Sequence, residues 1–412
     1  MIKKMSIETC VTCICILFVL FFGAWLNFSW NDLDFLQWKS LDEYAFHGVL
    51  LKFHSAFLSQ DIRSFFAFSF YSYGFLFFLI NYIAVAPFIS DPSSELLIFI
   101  PKMLSAVFFI LSLLFFSLIL KELKVNYPTR FASFLFILFM PGMWLNVNWF
   151  HPDFLMITFL MLSILFLAKN GFRLESYSDL SITFWAIAIA IKIQAITFAP
   201  LFFWLLFEKF ISSNLSFEKT KFFFKIFFYV LGIYVLLNPY LFHIDGLNAW
   251  IANHFAEFSS ASKINNNPAL PLSTKLKFGI FDYFFHPVIL IFVSAFSLFF
   301  IIRDIYKREF SLIGALSFTL TLNNIFLIFF MNKGWNHYFL PVIFLSSIIL
   351  FFTLNKIRKN YLVQICTLSI IIIMQGYNFS SDLKKIVTHR SQQIVISRDS
   401  IYNYNPTEYS LE

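Results

Sequence analysis

Residues 11–28 read VTCICILFVLFFGAWLNF, an apolar run without a charged side chain. At about 1.5 Å per residue, a helix of this length crosses most of a hydrocarbon core of about 30 Å. Lys3 and Lys4 precede the run and no small-residue cleavage site follows it, so we expect a retained signal anchor rather than a removed leader. The run therefore predicts that the chain begins with a membrane helix.

The composition of the whole chain indicates the same surroundings. Only 13% of its 412 residues are charged and 59% are apolar, whereas about a quarter of the residues of a soluble domain are charged. So few charges could not cover the surface of a soluble enzyme, which excludes that class. The net charge of +7 comes from basic residues that cluster in short loops, as cytoplasmic retention signals do. We therefore expect membrane lipids as partners and no nucleic acid.

Further apolar runs follow along the chain, and together they set the fold class. They lie near residues 70–89, 98–120, 131–148, 152–168, 181–211, 222–241, 286–302, 310–330, 338–354 and 361–377. Basic loops flank the 181–211 run on both sides, so we expect two short helices with a turn near Lys192 to Pro200. The pattern predicts an all-α polytopic membrane protein with about 11–12 hydrophobic helices.

The basic loops also predict the orientation of the chain. If they are cytoplasmic, the segments at 29–69, 149–152, 242–285 and 331–337 lie on the opposite face. An odd number of apolar runs precedes the basic loop at Lys121, so one run cannot cross, and we expect the 70–89 run to be re-entrant or interfacial. The predicted organisation is a membrane module at 1–345, C-terminal transmembrane helices at 346–377 and an extracytoplasmic tail at 378–412.

The scarce polar residues of the predicted outer face need an explanation, because ionisable groups in membrane proteins are expensive. Asp42 and Glu43 open a predicted juxtamembrane helix in the first outer loop, with His47 one turn later. Adjacent carboxylates suit general base chemistry, because one can accept a proton while its neighbour tunes its pKa. They also suit the N-terminal dipole of a helix, and the sequence leaves both interpretations open.

Four further groups lie on the same predicted face. In the turn at 148–153, capping of the next helix explains Pro152 and Asp153 but not His151 or Trp149. Lys192, with Gln194 nearby, is expected to snorkel or to reach an anionic phosphate at the outer face. The other two groups are the long loop at 242–285, which contains His254, and the segment at 333–338, which contains His337 and Tyr338.

The ordered set of these motifs resembles the GT-C superfold of integral-membrane glycosyltransferases, in particular the bacterial branch similar to lipid A aminoarabinose transferases and protein O-mannosyltransferases. The matching residues are the acidic pair within Trp38–Tyr44, the entry Tyr71-Ser72-Tyr73-Gly74, the turn His151-Pro152-Asp153, the embedded lysine of Ala190–Gln194 and His337-Tyr338-x-x-Pro341. The resemblance extends over about residues 1–345 and implies a GT-C-like arrangement of helices.

The resemblance implies an inverting transfer of a sugar from a polyprenyl-phosphate-linked donor to a lipid, glycan or protein acceptor on the non-cytoplasmic face of a bacterial inner membrane. Asp42 would be the general base, with Glu43 as its neighbour or alternate. Lys192 and His337 would contact the phosphate, and His151 and Asp153 would position the sugar or the acceptor. The remaining candidates for substrate binding are His47, Tyr73, Gln194, His254 and Tyr338. No cofactor is expected; Asp42, Glu43 and Asp153 are compatible with a divalent metal, which we do not infer.

Two other classes of protein share parts of this pattern. An O-antigen-type polymerase or ligase is also polytopic and uses lipid-linked sugars, but it would more often concentrate arginine in its large outer loops. A transporter or lipid flippase would line a path with polar residues, often with an internal repeat of spans. The chain shows no such repeat, and its unusual polar residues gather at one predicted face.

Overall fold

The structure is a computed structural model that describes residues 7–28, 41–66, 71, 73–91, 94–173, 176–212, 217–262, 271–330, 336–357, 368–377 and 379–380. This part of the chain is mostly helical and contains no sheet, only one isolated β-bridge, which confirms the predicted all-α class. The α-helices are α1 Ile7–Phe28, α2 Leu41–Leu58, α3 Ile62–Phe66, α4 Phe75–Val85, α5 Leu96–Glu122, α6 Tyr127–Leu138, α7 Pro141–Val147, α8 Asp153–Lys169, α9 Ser176–Ile191, α10 Ala199–Ser212, α11 Phe217–Leu237, α12 Ile244–Ser262, α13 Leu272–Leu276, α14 Pro287–Lys307, α15 Leu312–Ile325, α16 Asn336–Ile357 and α17 Leu368–Tyr377. Residues 38–40 of the acidic motif lie outside these ranges, and so does the predicted tail at 378–412 except for residues 379–380.

Four of the described helices are long and apolar enough to cross a membrane. They are Leu96–Glu122, Pro287–Lys307, Leu312–Phe329 and Asn336–Lys356, the third of which ends in a π-helical turn. Shorter apolar helices of 10–17 residues accompany them. The chain is an integral membrane protein, as its composition predicts.

The predicted run at 131–148 is not one straight helix. It divides into α6 and α7, whose axes differ by 63°. Pro141 is the cause, because proline has no N–H for the helical ladder and keeps the preceding residue out of the α region. Met140 accordingly has an extended backbone, with φ −84° and ψ 117°.

The run at 181–211 forms two short helices with a break at Lys192. α9 has 16 residues and α10 has 14, and between them Lys192 is extended and Ile193–Phe198 forms a 3-10 turn. The helix lengths and the position of the break agree with the sequence prediction. The two arms pack against different neighbours, α9 against α8 and α11, and α10 against α15.

The helix α4, within the run expected to be re-entrant or interfacial, is short. It has 11 residues and ends in a 3-10 turn at Ala86–Phe88, whereas a span requires about 20 residues. It packs against α2, α5 and α9. Its side of the membrane remains a prediction from the basic loops.

The chain segment before α4 meets the break between α9 and α10 at a close backbone junction. Tyr73 and Lys192 form an antiparallel bridge, and the Gly74 N–H donates a hydrogen bond to the Ile191 carbonyl over 2.8 Å. A Cβ atom on Gly74 would overlap the carbonyl oxygen of Ala190. Only glycine therefore permits this approach of the two segments.

The Gly74→Ala variant is expected to lose about 1–3 kcal/mol of stability, because its methyl group forces two backbones apart. Thermal unfolding of the purified protein in detergent measures the loss. The matched control is Gly48→Ala in α2, where an added Cβ meets nothing within 4 Å. Equal melting temperatures for the two variants would contradict the close junction.

Candidate active site

Five polar or aromatic side chains from separate elements meet in one buried cluster. Each comes from an element end or an interruption, because that is where the backbone leaves the helical path. The members are Tyr73 before α4, His151 in the α7–α8 connection, Asp153 at the start of α8, Lys192 in the break and His337 in the first turn of α16. We call this set the polar cluster.

Asp153 is the centre of the polar cluster. Its Oδ1 accepts a hydrogen bond from Lys192 Nζ over 2.6 Å, and its Oδ2 accepts one from His151 Nδ1. The side chains of Asp153 and Lys192 are 2% and 7% exposed, so the two charges compensate each other away from water. Capping of α8, the interpretation from the sequence, does not account for these contacts, and neither does snorkelling of Lys192.

His151 connects the ion pair to Tyr73. Burial lowers its pKa below the ordinary value, although the nearby carboxylates of Asp153 and Asp42 act to raise it. A neutral imidazole has one N–H, which the Asp153 carboxylate accepts at Nδ1, so Nε2 accepts from the Tyr73 hydroxyl over 3.1 Å. The His151 ring stacks on Trp149, with 4.2 Å between the ring centres, and this fixes its plane.

Two tyrosine rings lie near the Lys192 ammonium. Its Nζ lies 5.1 Å from the centre of the Tyr338 ring and 5.9 Å from that of Tyr73, at cation–π distance. Gln194 Nε2 donates to the Tyr338 carbonyl over 2.7 Å. This bond ties the 3-10 turn after Lys192 to α16, so the lysine and its aromatic neighbours are held together.

The acidic pair divides between two environments. Glu43 is buried, and its Oε1 accepts a hydrogen bond from the Phe150 N–H over 2.8 Å and lies 3.3 Å from Lys102 Nζ. Asp42 is half-buried, and its charge acts on His151. Of the two carboxylates, Glu43 is paired within the protein, while Asp42 is partly exposed and near enough to His151 for its charge to act on that ring.

The other sequence candidates lie at different places. Gln194 and Tyr338 adjoin the polar cluster, as described above. His47 is buried in α2. His254 lies in α12, where its ring centre is 4.4 Å from that of Trp250 and its Nδ1 is 2.9 Å from the Trp250 carbonyl oxygen.

The sequence prediction missed Lys102. This lysine lies within the apolar run at 98–120, and its side chain is 2% exposed. A charged residue inside an apolar helix is costly unless it is paired, which is the signal that would have identified it. Its partner Glu43 could not be assigned without the fold, because the two residues belong to different helices.

The polar cluster also contains a set of metal-ligand types. Ligand atoms of His151, Asp153 and His337 lie within 4.8 Å of one another. Lys192 and His151 each hydrogen-bond to one oxygen of Asp153, so a divalent cation bound there would share the carboxylate with the ammonium group. Glu43 is likewise paired with Lys102. His151, Asp153 and His337 are of the types that bind a divalent cation, and we derive no step through one.

The Asp153→Asn variant is expected to destabilise the protein by about 3–5 kcal/mol, because it leaves the Lys192 charge buried without its partner. The measurement is again thermal unfolding in detergent. Asp179→Asn is the matched control, since it breaks an ion pair with Lys225 whose side chains are 53% and 56% exposed, and such pairs contribute at most about 1 kcal/mol. A melting temperature for Asp153→Asn no lower than that of Asp179→Asn would show that the ion pair is not buried as described.

No family model matches the sequence, and no curated protein matches it. The structure is similar to two crystal structures of the oligosaccharyltransferase of Archaeoglobus fulgidus. For the apo form, the identity is 13% and the TM-score 0.49, and the match covers 89% of this chain and 56% of that chain. For the form tethered by a disulfide bond to an acceptor peptide with the NVT sequon, the identity is 13% and the TM-score 0.50, with 89% and 55% covered.

The chain therefore spans about half the length of the solved structures that it matches. At this identity the similarity concerns the fold alone. The fold is similar to that of this oligosaccharyltransferase, and the likeness agrees with the GT-C-like arrangement of helices that the sequence predicts.

Proposed function

We propose that this protein transfers a sugar from a lipid-linked donor to an acceptor. The observation that carries the proposal is a buried ion pair, Asp153 with Lys192, joined to His151 and lying beside the half-buried Asp42. The GT-C fold supports the reaction class. An arrangement with one accessible carboxylate and one fixed cation suits a displacement in which a proton is removed and an anion departs.

Asp42 is the general base in this proposal. Its carboxylate accepts the proton of the acceptor hydroxyl or amine, whose freed electron pair attacks the anomeric carbon of the sugar. The bond between that carbon and the phosphate oxygen breaks, and its electrons leave with the lipid phosphate. A single displacement of this kind inverts the anomeric centre. Glu43, which the sequence left as an alternate base, is disfavoured because its carboxylate is paired with Lys102 and the Phe150 N–H.

Lys192 is the proposed contact to the departing phosphate, together with His337. An ammonium has three N–H donors, and Asp153 fixes the direction of the group by taking one of them. The other donors suit a phosphate oxygen, and the surrounding tyrosine rings keep the cation in place. His151, Tyr73 and Gln194 would then position the sugar or the acceptor.

The donor in this proposal is a polyprenyl-phosphate sugar and the acceptor a lipid, a glycan or a protein. The orientation predicted from the basic loops would put the reaction at the non-cytoplasmic face, and the resemblance to the bacterial branch implies an inner membrane. A lipid-linked donor suits a site among membrane helices, because its tail remains in the bilayer while its head group enters the protein.

The Asp42→Asn variant is expected to lose sugar transfer by at least about a hundredfold, because the amide cannot accept the acceptor proton. Transfer is measured in nanodiscs with the membrane lipid extract of the source cells as donor and acceptor. The amount of protein and its melting temperature should be unchanged.

Asp61→Asn is the control for this variant. Asp61 is exposed near the same predicted outer segment and caps α3 through Ser64, a role that asparagine also performs. Its transfer rate should equal that of the wild type. Full transfer by Asp42→Asn would remove Asp42 from the base role.

A further inference from the structure

Asn238 is a fully buried side chain between α11 and the 3-10 turn Pro239–Phe242. Its Oδ1 accepts a hydrogen bond from the Phe75 N–H over 3.0 Å. Its Nδ2 donates to the Ala190 carbonyl over 3.3 Å and to the Tyr234 carbonyl over 3.0 Å. One amide thus joins three separate chain segments.

Two of those segments carry residues of the polar cluster. Phe75 follows Tyr73 by two positions, and Ala190 precedes Lys192 by two. The same segments meet directly through the Tyr73–Lys192 bridge. Asn238 therefore contacts the backbone of both segments that form the junction. These hydrogen bonds go to neighbours of Tyr73 and Lys192 and not to the side chains of those two residues.

A second contact joins the segment before α4 to the start of the long loop. The rings of Tyr71 and Tyr240 lie 4.6 Å apart, so the segment that bears Tyr73 is held on both sides by residues 238–240. This makes the position of Tyr73 dependent on the chain that leads into α12. Neither contact involves a charge that could bind a substrate.

We propose that Asn238 is a positioning residue that sets the distance between Tyr73 and Lys192. Through Lys192 it fixes the ammonium against Asp153, and through Tyr73 it fixes the hydroxyl against His151. An effect of Asn238 on catalysis rests on the proposed function, whereas its effect on the positions of Tyr73 and Lys192 does not. An amide is required, because only asparagine of this size supplies one acceptor and two donors, and a buried backbone group that loses its partner is costly.

The test measures the exposure of individual lysines in the full-length protein in nanodiscs. A small amine-reactive reagent is applied for increasing times, and peptide mass spectrometry follows Lys192 and Lys102. Both are buried and paired with a carboxylate, so Lys102 reports global opening and Lys192 reports the junction. In Asn238→Ala, we expect Lys192 to react about tenfold faster, because lost hydrogen bonds let the junction open locally. Lys102 should react at the wild-type rate.

Asn81→Ala is the matched control. Asn81 is also buried, but its Nδ2 donates only to the Phe77 carbonyl of its own helix, α4. Its removal should leave the Lys192 rate unchanged. Asn238→Asp is the second variant, since it keeps an acceptor for the Phe75 N–H but replaces the NH₂ group that two carbonyl oxygens share, so Lys192 should react faster than in the wild type.

The inference is overturned if Lys192 keeps its wild-type rate in Asn238→Ala, or if Lys102 accelerates equally, which would show a general loss of structure. If Asn238→Ala does not fold, an unchanged Lys192 rate in Asn238→Asp overturns it instead. The reagent assay needs no substrate, so absence of sugar transfer in the wild type would contradict the proposed function and leave the lysine result decisive. Where transfer is measured, Asn238→Ala should lower kcat more than it raises the donor KM.

Discussion

A carboxylate and an ammonium group that are both withdrawn from water must find each other, because an isolated buried charge costs several kcal/mol or more. In this protein the pair is Asp153 with Lys192. Lys192 lies where the run at 181–211 is interrupted, and the interruption leaves the carbonyl groups of Ala190 and Ile191 in need of partners. The Gly74 N–H and the Asn238 amide supply those partners. The close junction, the broken helix and the position of Tyr73 are thus linked to one electrostatic requirement.

The second buried pair, Glu43 with Lys102, has a different consequence. It ties α2 to α5 and, through the Phe150 N–H, to the connection that carries His151. Adjacent acidic residues in a sequence look equivalent, but their side chains leave a helix in different directions. Here one carboxylate is used by the fold, and the other remains accessible beside the polar cluster. This division is the structural reason for proposing Asp42, rather than Glu43, as the base.

Hydrophobic run length was sufficient to predict an all-helical membrane protein and most helix positions, because a bilayer imposes length and apolarity directly. The break near Lys192 was also predictable, since basic loops on both sides of a long run require a turn. The bend at Pro141 was not predicted from the sequence, although proline is its cause. Pairings between helices, such as Lys102 with Glu43 and Asn238 with Phe75, depend on tertiary packing. For the same reason the sequence could not show that Asp153, read as a helix cap, is the partner of Lys192.

Photolabelling tests most directly whether the polar cluster receives the head group of a lipid-linked sugar. The purified protein in nanodiscs is irradiated with a polyprenyl-phosphate sugar that bears a photoreactive group on the sugar, with and without excess unlabelled donor. Labelled peptides are then identified by mass spectrometry. The expected result is labelling of the peptides that contain Tyr73, His151, Lys192 and His337, suppressed by the unlabelled donor. Labelling confined to exposed apolar positions such as Phe224 and Phe228 of α11, without competition, would contradict the claim.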